Sequence, residues 1–562
     1  MWLLMLACAA PGPGPGADPT PDETDGGSTA ADGGGTAGDG GGAADDDVET
    51  VPAGPDDEGC PTIYRQDIVP DLRIEMEAAE WAGVQADYAS GIQQLRPARF
   101  SWVTPAGDEL SFDEAAVRLR GNPGFSWLGD KMQLMIAFDA WDDDGRFLGL
   151  RRLALDASWY HPSLLRDRLA YSYFRRLGVP APCANSATLT VNDEMYGLYT
   201  NVERIDHELL ERVYGREAAT GGLWEAGTDL DANAEDADTA KMAAWWADPS
   251  VASQEALSDL DGNVREWAAE AVVPHDDGYW CCGHNFYVYD HPAEGLSFIP
   301  WDLDYSFDTA PWSASPDDFY RDSNNQSHLD AVRADPVWGP RWFEALEEAN
   351  AAYDVDLMQA QIDDWSAQIA EGFAADPHTT ISAGAHSDGV ARLRAFVDAR
   401  HGYLDGWVDC QQGDDSDHDG DGATACQDCD DGDASIHPGA AETCNRRDDN
   451  CDGWADEDAG CDVCDEVSFN DGRFLVCSER STWAEAQARC EAAGATLGQP
   501  ASTEEWYLLV YETYWQDEAW AGVSAWWIGP GTGGATCPTL VPASWATRTA
   551  ACDSLLPAIC RF

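Results

Sequence analysis

The sequence is nearly without lysine: Lys131 and Lys241 are its two, and arginine supplies the rest of a basic complement of 32 residues set against 103 acidic ones. The formal charge of −71 excludes a general binder of nucleic acid or of anionic membranes, because both partners are polyanions. It fits a soluble protein in surroundings where divalent cations screen carboxylates. Long apolar runs are missing too. The apolar start, Met1-Trp-Leu-Leu-Met-Leu-Ala7, is too short to cross a bilayer, and no later segment is long and apolar enough to do so.

Cysteine is plentiful. Seventeen residues argue for an oxidising compartment, and their grouping is informative. Cys60, Cys183, Cys281 and Cys282 lie in the large middle region. Cys410, Cys426, Cys429, Cys444, Cys451 and Cys461 lie in an acidic stretch. Cys464, Cys477, Cys490, Cys537, Cys552 and Cys560 lie near the end. Each group is even, and Cys8 is left over. The apolar start resembles the end of a signal peptide with a lipobox, which would make Cys8 a lipidated first residue. The expected location is therefore extracytoplasmic, as a cell-surface lipoprotein or a secreted protein.

At 562 residues the chain predicts about three or four units. Residues 1–8 read as the signal and lipobox. Residues 9–60 are rich in Gly, Ala, Pro, Asp and Thr, with almost nothing to bury, and read as a disordered linker. Residues 61–408 mix strand-like alternation with helical periods. Residues 409–461 are acidic, Gly-rich and Cys-rich, and residues 462–562 are globular again. The fold class expected is α+β and multidomain.

In the middle region, 115–122 and 131–138 read as strands. Residues 163–176 form an amphipathic helix with Leu164, Leu165, Leu169, Tyr173 and Phe174 on one face, stopped by Gly178 and Pro180. Residues 187–191 and 197–203 are strands around an Asn192-Asp193 turn. The stretch from His275 to Asp304 reads as a loop, a strand (286–289), a turn, a second strand (296–299) and an acidic loop. Asp277 stands in the first loop, Asn285 closes it, and Asp302 and Asp304 come after the hairpin. Phosphoryl transfer needs those parts: a carboxylate near the acceptor hydroxyl, and an Asn and an Asp that hold Mg²⁺ against the phosphates.

Several pieces in this order resemble the CotH family of atypical secretory kinases: Arg118-Leu-Arg-Gly-Asn122, Leu164-Leu-Arg-Asp-Arg-Leu-Ala170, Gly178-Val-Pro-Ala-Pro182, Tyr196-Gly-Leu-Tyr-Thr-Asn-Val-Glu203, Asp277-Gly-Tyr279, Asn285-Phe-Tyr-Val-Tyr289 and Ile299-Pro-Trp-Asp-Leu-Asp304. The resemblance covers roughly residues 65–405. It implies an atypical protein-kinase-like domain using ATP with Mg²⁺ or Mn²⁺. Asp277 would be the catalytic carboxylate. Asn285 and Asp302 would bind metal, with Asp304 as a second candidate, because two residues apart on an extended strand cannot both face one site. Lys131 would contact the nucleotide phosphates with help from Arg120, and Glu203 would line the nucleotide pocket. The 163–176 helix offers Asp167 and no Glu, so the Lys–Glu pair of kinases is not evident.

In the acidic stretch, Asp415, Asp417, Asp419 and Asp421 alternate ahead of Gly422, the way an EF-hand-like loop wraps Ca²⁺ in oxygen ligands. The stretch from Asp428 to Asp458 resembles the metal-binding repeat named after the copper protein MopE. Its ligands are hard oxygens, with His418 and His437 as the imidazoles of the segment, so Ca²⁺ is the expected ion.

The last hundred residues resemble a C-type-lectin-like domain, carried by a Ser481/Thr482-capped helix ending at Cys490, a second helix from about Ser502, Trp526-Trp-Ile-Gly529 and Leu556-Pro-Ala-Ile-Cys-Arg561. The resemblance implies the pairs Cys490–Cys560, Cys537–Cys552 and Cys464–Cys477. Where sugar-binding members carry Trp-Asn-Asp, this chain reads Trp545-Ala-Thr-Arg548, so calcium-dependent sugar binding is not expected.

Two functions are open to such a chain. One is an exported kinase moving phosphate from ATP to Ser or Thr of a surface or extracellular protein, targeted by the C-terminal modules. The other is a catalytically inactive kinase-fold adhesin or scaffold that binds a surface protein or glycan.

Overall fold

The computed structural model describes residues 59–121, 127, 131–158, 161–275, 277–307, 313–316, 327–379, 381–445, 447–451, 464–469, 472–498, 526–529, 536–541, 546–554 and 556–561. Cys8, the linker up to residue 58, the helix expected from about Ser502 and Trp545 lie outside them.

The first half of the middle region is built on β-strands whose inner faces are apolar. Strands β1 (Asp71–Glu75), β2 (Arg96–Val103), β3 (Glu109–Leu119), β4 (Leu134–Ala137), β5 (Arg152–Asp156), β6 (Ala184–Val191) and β7 (Glu194–Val202) close into a barrel in the order β1-β2-β3-β4-β5-β7-β6. Parallel pairing of β6 with β1 closes it and leaves no exposed edge. Phe100 meets Phe138 and Phe147 edge-on, with ring centroids 5.2 and 5.0 Å away. Asn192 and Asp193 turn β6 into β7 with φ of 50° and 66°, the left-handed pair that a two-residue hairpin loop needs.

Two expected strands differ in extent. β3 starts at Glu109, because the alternating Glu109–Glu114 stretch pairs with β2 on a partly solvated face. β4 starts at Leu134, which leaves Lys131 in the segment that leads into it.

Helices complete this region. Helix α1 (Ala78–Ser90) comes after β1, and α2 (Arg166–Arg176) sits between β5 and β6. Next come α3 (His207–Tyr214), α4 (Thr239–Ala247), α5 (Val251–Leu257), α6 (Leu260–Val272) and the single turn α7 (Tyr279–Cys282). After them run α8 (Ser327–Ala334), α9 (Trp338–Ala351), α10 (Val355–Ala375) and α11 (Ala383–Gln412). A four-stranded sheet, ordered β11 (Gly295–Pro300), β10 (Phe286–His291), β8 (Leu223–Glu225), β9 (Asp229–Ala232), packs among them. Its core is aromatic: Phe286 stacks on Phe298 at 5.0 Å, and Trp245 stacks on His328 at 3.6 Å.

Helix α2 is shorter than its sequence pattern, starting at Arg166 because Leu164 takes a left-handed turn with φ 58°. It is also buried all round through Phe174, charged residues included. Arg168 is fully enclosed. It lies 4.0 Å over the Trp365 ring and donates to Gln66 Oε1 at 2.9 Å. Within the barrel half, the Cys60–Cys183 disulfide joins the start of the described chain to the segment between α2 and β6.

Helix α11 continues to Gln412, where Gly413 caps it with φ 84°, so the expected boundary at 408 falls inside the helix. The acidic segment then runs without helix or strand among the described residues. It is stapled by Cys410–Cys426 and Cys429–Cys451.

The C-terminal unit contains β12 (Cys464–Phe469), β13 (Gly472–Ser481), α12 (Trp483–Ala492), β14 (Thr496–Leu497), β15 (Trp526–Trp527), β16 (Thr536–Val541), β17 (Ala546–Ala551) and β18 (Leu556–Arg561). β18 pairs with β13, β14 and β15. Thr482 and Glu485 form a capping box at the start of α12, satisfying two otherwise orphaned amides. Cys490–Cys560 and Cys537–Cys552 are bonded, and Cys464 stands opposite Cys477 in the β12–β13 register.

Candidate functional site

The loop between α6 and β10 is held from beneath by a buried carboxylate. Glu270, on the last turn of α6, accepts the amides of Tyr279 and Trp280 at 3.2 and 2.6 Å, which anchors the α7 turn. Arg400 of α11, fully buried, donates to the carbonyls of Ala271 and Val272 at 2.9 Å each and so caps the C-terminus of α6.

His275 ties this loop to the one after the hairpin, its Nε2 lying 3.1 Å from the Asp302 carbonyl. The Asp302 amide donates to the Tyr171 hydroxyl of α2 at 3.0 Å, and the Trp301 amide donates to the Asn285 carbonyl at 3.0 Å. The consequence is convergence. Asn285 Nδ2 donates to Asp277 Oδ2 at 2.8 Å. Both Asn285 and Asp302 are left-handed, with φ of 50° and 52°, a conformation that Asn and Asp adopt more readily than most residues.

Asp302 and Asp304 face one cluster, although an extended strand would have separated them. The chain after Asp302 winds into a 3₁₀ turn, Leu303–Tyr305, so the strand periodicity no longer applies. Asp156 from the end of β5 and Asp167 from α2 join them. Burial pushes the Asp302 carboxyl up to about 6, with Asp156 adding to the rise while Arg120 and His275 oppose it. Burial, then Asp302, Asp167, Asp156 and Asp277, holds Asp304 well above the usual carboxylate range. Asp167 is raised by burial and then by Asp302 and Asp156. His161, pushed well below its usual range by burial and Arg166, is neutral, with Nε2 2.9 Å from Asp304 Oδ2. The other Asp304 oxygen is buried, with no hydrogen-bond partner among the described residues. Carboxylates crowded like this either take up protons or hold a cation. An all-oxygen set with one amide suits Mg²⁺ or Mn²⁺.

The expected phosphate contacts are held by different partners. Arg120 is at the cluster: its Nη1 is 3.1 Å from Asp156 Oδ2, and its guanidinium lies 5.7 Å over the Trp301 ring. Lys131 is only 4% exposed. Its ammonium pairs with Asp376 at 2.9 Å, donates to the Leu198 carbonyl and lies 4.9 Å over the Tyr199 ring. Burial lowers its pKa, and Asp376 opposes that shift. Glu203 is not brought to the cluster: both its oxygens take Arg212, at 2.9 and 2.6 Å, and one also accepts the Cys183 amide at 2.9 Å. In this structure Lys131 and Glu203 are held by partners of the barrel and the helices around it. A broad groove on the barrel, lined by Glu75, Arg99, Asp113 and Trp141, shares no residue with the cluster.

In the acidic segment, Asp417, Asp419 and Asp421 come together with Asp428 and Asp431. Asp415 instead accepts the Thr424 hydroxyl. His418 pairs with Asp431.

Sequence reasoning passes over His275, Tyr171, Glu270, Arg400 and Asp376, and it treats Asp167 as a missing Glu rather than as part of the acid cluster. His275 carries a usable signal, since it opens the acidic loop two residues before Asp277. The others act through partners distant in sequence and leave no local pattern.

Residues 117–266 match the family model described as CotH kinase protein, and residues 428–457 match the MopE-type metal-binding motif. The inner spore coat protein H-like protein of Bacillus subtilis (strain 168) is 44% identical over 73 residues, which is 13% of this chain and 23% of that protein. The inner spore coat protein H of the same organism is 34% identical over 87 residues, 16% of this chain and 23% of the relative. The chain thus spans less than a quarter of each relative's length. These matches support a place in the CotH family. The matched span contains Arg120, Lys131, Asp156 and Asp167 and ends before Asp277, Asn285 and Asp302.

Proposed function

We propose that this chain, which carries a CotH kinase domain, is an exported atypical kinase that transfers the γ-phosphoryl group of ATP to a Ser or Thr hydroxyl of a surface or extracellular protein. The observation that carries the reading is the Asp277–Asn285 hydrogen bond set beside the partly buried carboxylates of Asp302 and Asp304. Asp277 accepts the proton of the acceptor hydroxyl. Asn285, Asp302 and Asp304 hold Mg²⁺ or Mn²⁺, which neutralises charge on the phosphates when bound. Arg120, fixed by Asp156 and Trp301, is the cation placed to meet phosphate oxygens.

The disulfides of both halves support an extracytoplasmic protein, and among the described residues no helix is long and apolar enough to cross a membrane. Lipidation at Cys8 would tether it through the segment that ends before Cys60, whose bond to Cys183 puts the expected linker boundary at 60 inside the folded unit. The 409–461 segment binds Ca²⁺. The 462–562 unit is C-type-lectin-like and takes a surface protein or glycan; the Cys490–Cys560 and Cys537–Cys552 bonds beside α12 support that reading.

One observation favours the inactive-scaffold reading. Lys131 is paired with Asp376, so the cluster has no lysine among its described hydrogen-bond and ion-pair partners.

The test is transfer of labelled phosphate from γ-labelled ATP, with Mn²⁺ or Mg²⁺, to the protein itself and to a Ser/Thr-rich acceptor. Asp277→Ala is expected to lower the rate by about 10²–10⁴-fold while ATP binding persists. Transfer unchanged in that variant contradicts the assignment, and no transfer with any metal favours the scaffold.

A further inference from the structure

The alternating run Asp415, Asp417, Asp419 and Asp421 suggests a self-contained calcium loop, but the geometry of the acidic segment assigns different ligands. We infer that Asp419, Asp421 and Asp428 form one Ca²⁺ site that fastens the 415–422 loop to the 428–431 turn beneath α11. The inference rests on the calcium reading and changes which residues carry it.

One carboxylate oxygen from each of the three lies within 4.8 Å of the others. One oxygen of each is already used: Asp419 Oδ1 accepts the Asp421 amide at 3.2 Å, Asp421 Oδ1 the Ala423 amide at 2.7 Å, and Asp428 Oδ1 the Asp430 amide at 2.9 Å. The three Oδ2 atoms are buried, and among the described residues no donor meets any of them. Asp428 is only 8% exposed, so its free oxygen cannot simply be left to bulk water. A buried, unpaired carboxylate oxygen is costly, and three carboxylates gathered this closely, each with one such oxygen, are accommodated by a cation.

Asp415 is occupied elsewhere by Thr424. Asp417 uses both its oxygens on the amides of Gly420 and Gly422, at 2.6 and 3.0 Å, and therefore shapes the loop rather than completing the site.

The chemistry of the donors selects the ion. Cys429 and Cys451 lie beside Asp428 but are bonded to each other, so no thiolate is available to a soft metal such as copper. Carboxylates on an irregular loop, with room for carbonyls and water, fit the larger and less regular shell of Ca²⁺ better than the strict octahedron of Mg²⁺.

The site also has a mechanical consequence. The turn after Asp428 lies against α11. Gly402 leaves space for Asp430, since a Cβ there would come within 2.3 Å of its Oδ1, and Gly406 faces the Asp431 Cβ at 3.6 Å. The Cys410–Cys426 bond anchors the intervening loop to the same helix. The ion thus locks the joint between α11 and the chain that leads to the C-terminal unit.

The experiment is calorimetric titration of calcium chloride into the metal-stripped full chain and its variants. Asp428→Asn keeps the acceptor for the Asp430 amide and removes the ligand charge. It is expected to weaken binding by at least about tenfold, as is Asp421→Asn, while Asp415→Asn stays within about twofold of wild type. Circular dichroism in the stripped state confirms that each variant is folded. Calcium binding that Asp415→Asn weakens as much as Asp428→Asn overturns this ligand set and leaves the calcium reading standing. A wild-type chain that takes up no calcium overturns both.

Discussion

The molecule gathers carboxylates twice, by opposite means. In the globular unit, Asp156, Asp167, Asp302 and Asp304 come from β5, α2 and the loop after β11, and burial forces them together. In the acidic segment, Asp417, Asp419 and Asp421 are already neighbours in sequence, and short amide hydrogen bonds from the loop's own backbone arrange them. The first arrangement depends on a whole core. The second depends on a few residues and two disulfides. A cluster made by tertiary packing can be held rigid around a reacting group, whereas a cluster made by a local loop suits reversible ion binding and a structural role.

The largest expected effect tests the packed cluster's frame. Lys131→Met would leave Asp376 buried without its cation and should lower stability by about 3–5 kcal/mol in chemical denaturation. If Lys131 also reaches the ATP phosphates, the variant additionally raises the KM for ATP.

An effect of the same size concerns the Cys60–Cys183 bond, whose partners are 123 residues apart in sequence. Replacing both cysteines by Ser should cost about 4–5 kcal/mol by chain entropy, read in the same denaturation experiment. The acidic segment, stapled separately, should keep its calcium affinity.

A smaller effect concerns pH. The folded Asp302 carboxyl titrates at about 6, above the value of about 3.9 for an unfolded Asp. Its contribution to stability is therefore full below about pH 4 and is lost as pH rises through about 6. Asp302 keeps some solvent access, which screens the effect to about 1–2 kcal/mol. In metal-free buffer at pH 7, Asp302→Asn should be more stable than wild type by that amount. An equal or lower stability would mean that the cluster is not strained by its charge.

The smallest effect is on the loop. Chelation of calcium should leave the melting of the globular unit within about 1 °C while speeding proteolytic cleavage within 413–431 severalfold. A large fall in melting temperature would mean that the two clusters are not independent.

Much of this is legible in the sequence where the signal is local. The Asn192-Asp193 hairpin, the β10–β11 hairpin and the order Asp277, Asn285, Asp302 can be read from alternation, turn residues and spacing. What escapes depends on distance. The rarity of Lys131 points it at phosphates, but its partner Asp376 comes from the C-terminal end of α10, and no spacing rule links the two. Strand periodicity ranks Asp304 below Asp302, and the chain leaves the strand at that very point. The burial of α2 on every side is hidden because Arg166, Asp167 and Arg168 look like a solvent face. Asp428 is read with the MopE-type repeat and not with Asp419 and Asp421, because the alternating run ends at Asp421 and the further carboxylate returns only after the Cys410–Cys426 loop.

The central claim is that the buried carboxylates beside Asp277 and Asn285 form a metal–nucleotide site. Calorimetric titration of ATP with Mn²⁺ or Mg²⁺ into wild type and Asp302→Asn tests it most directly. The account predicts that wild type binds only when metal is present and that the variant, though folded, loses at least about tenfold in affinity. Metal-dependent ATP binding of equal strength in both proteins would contradict it.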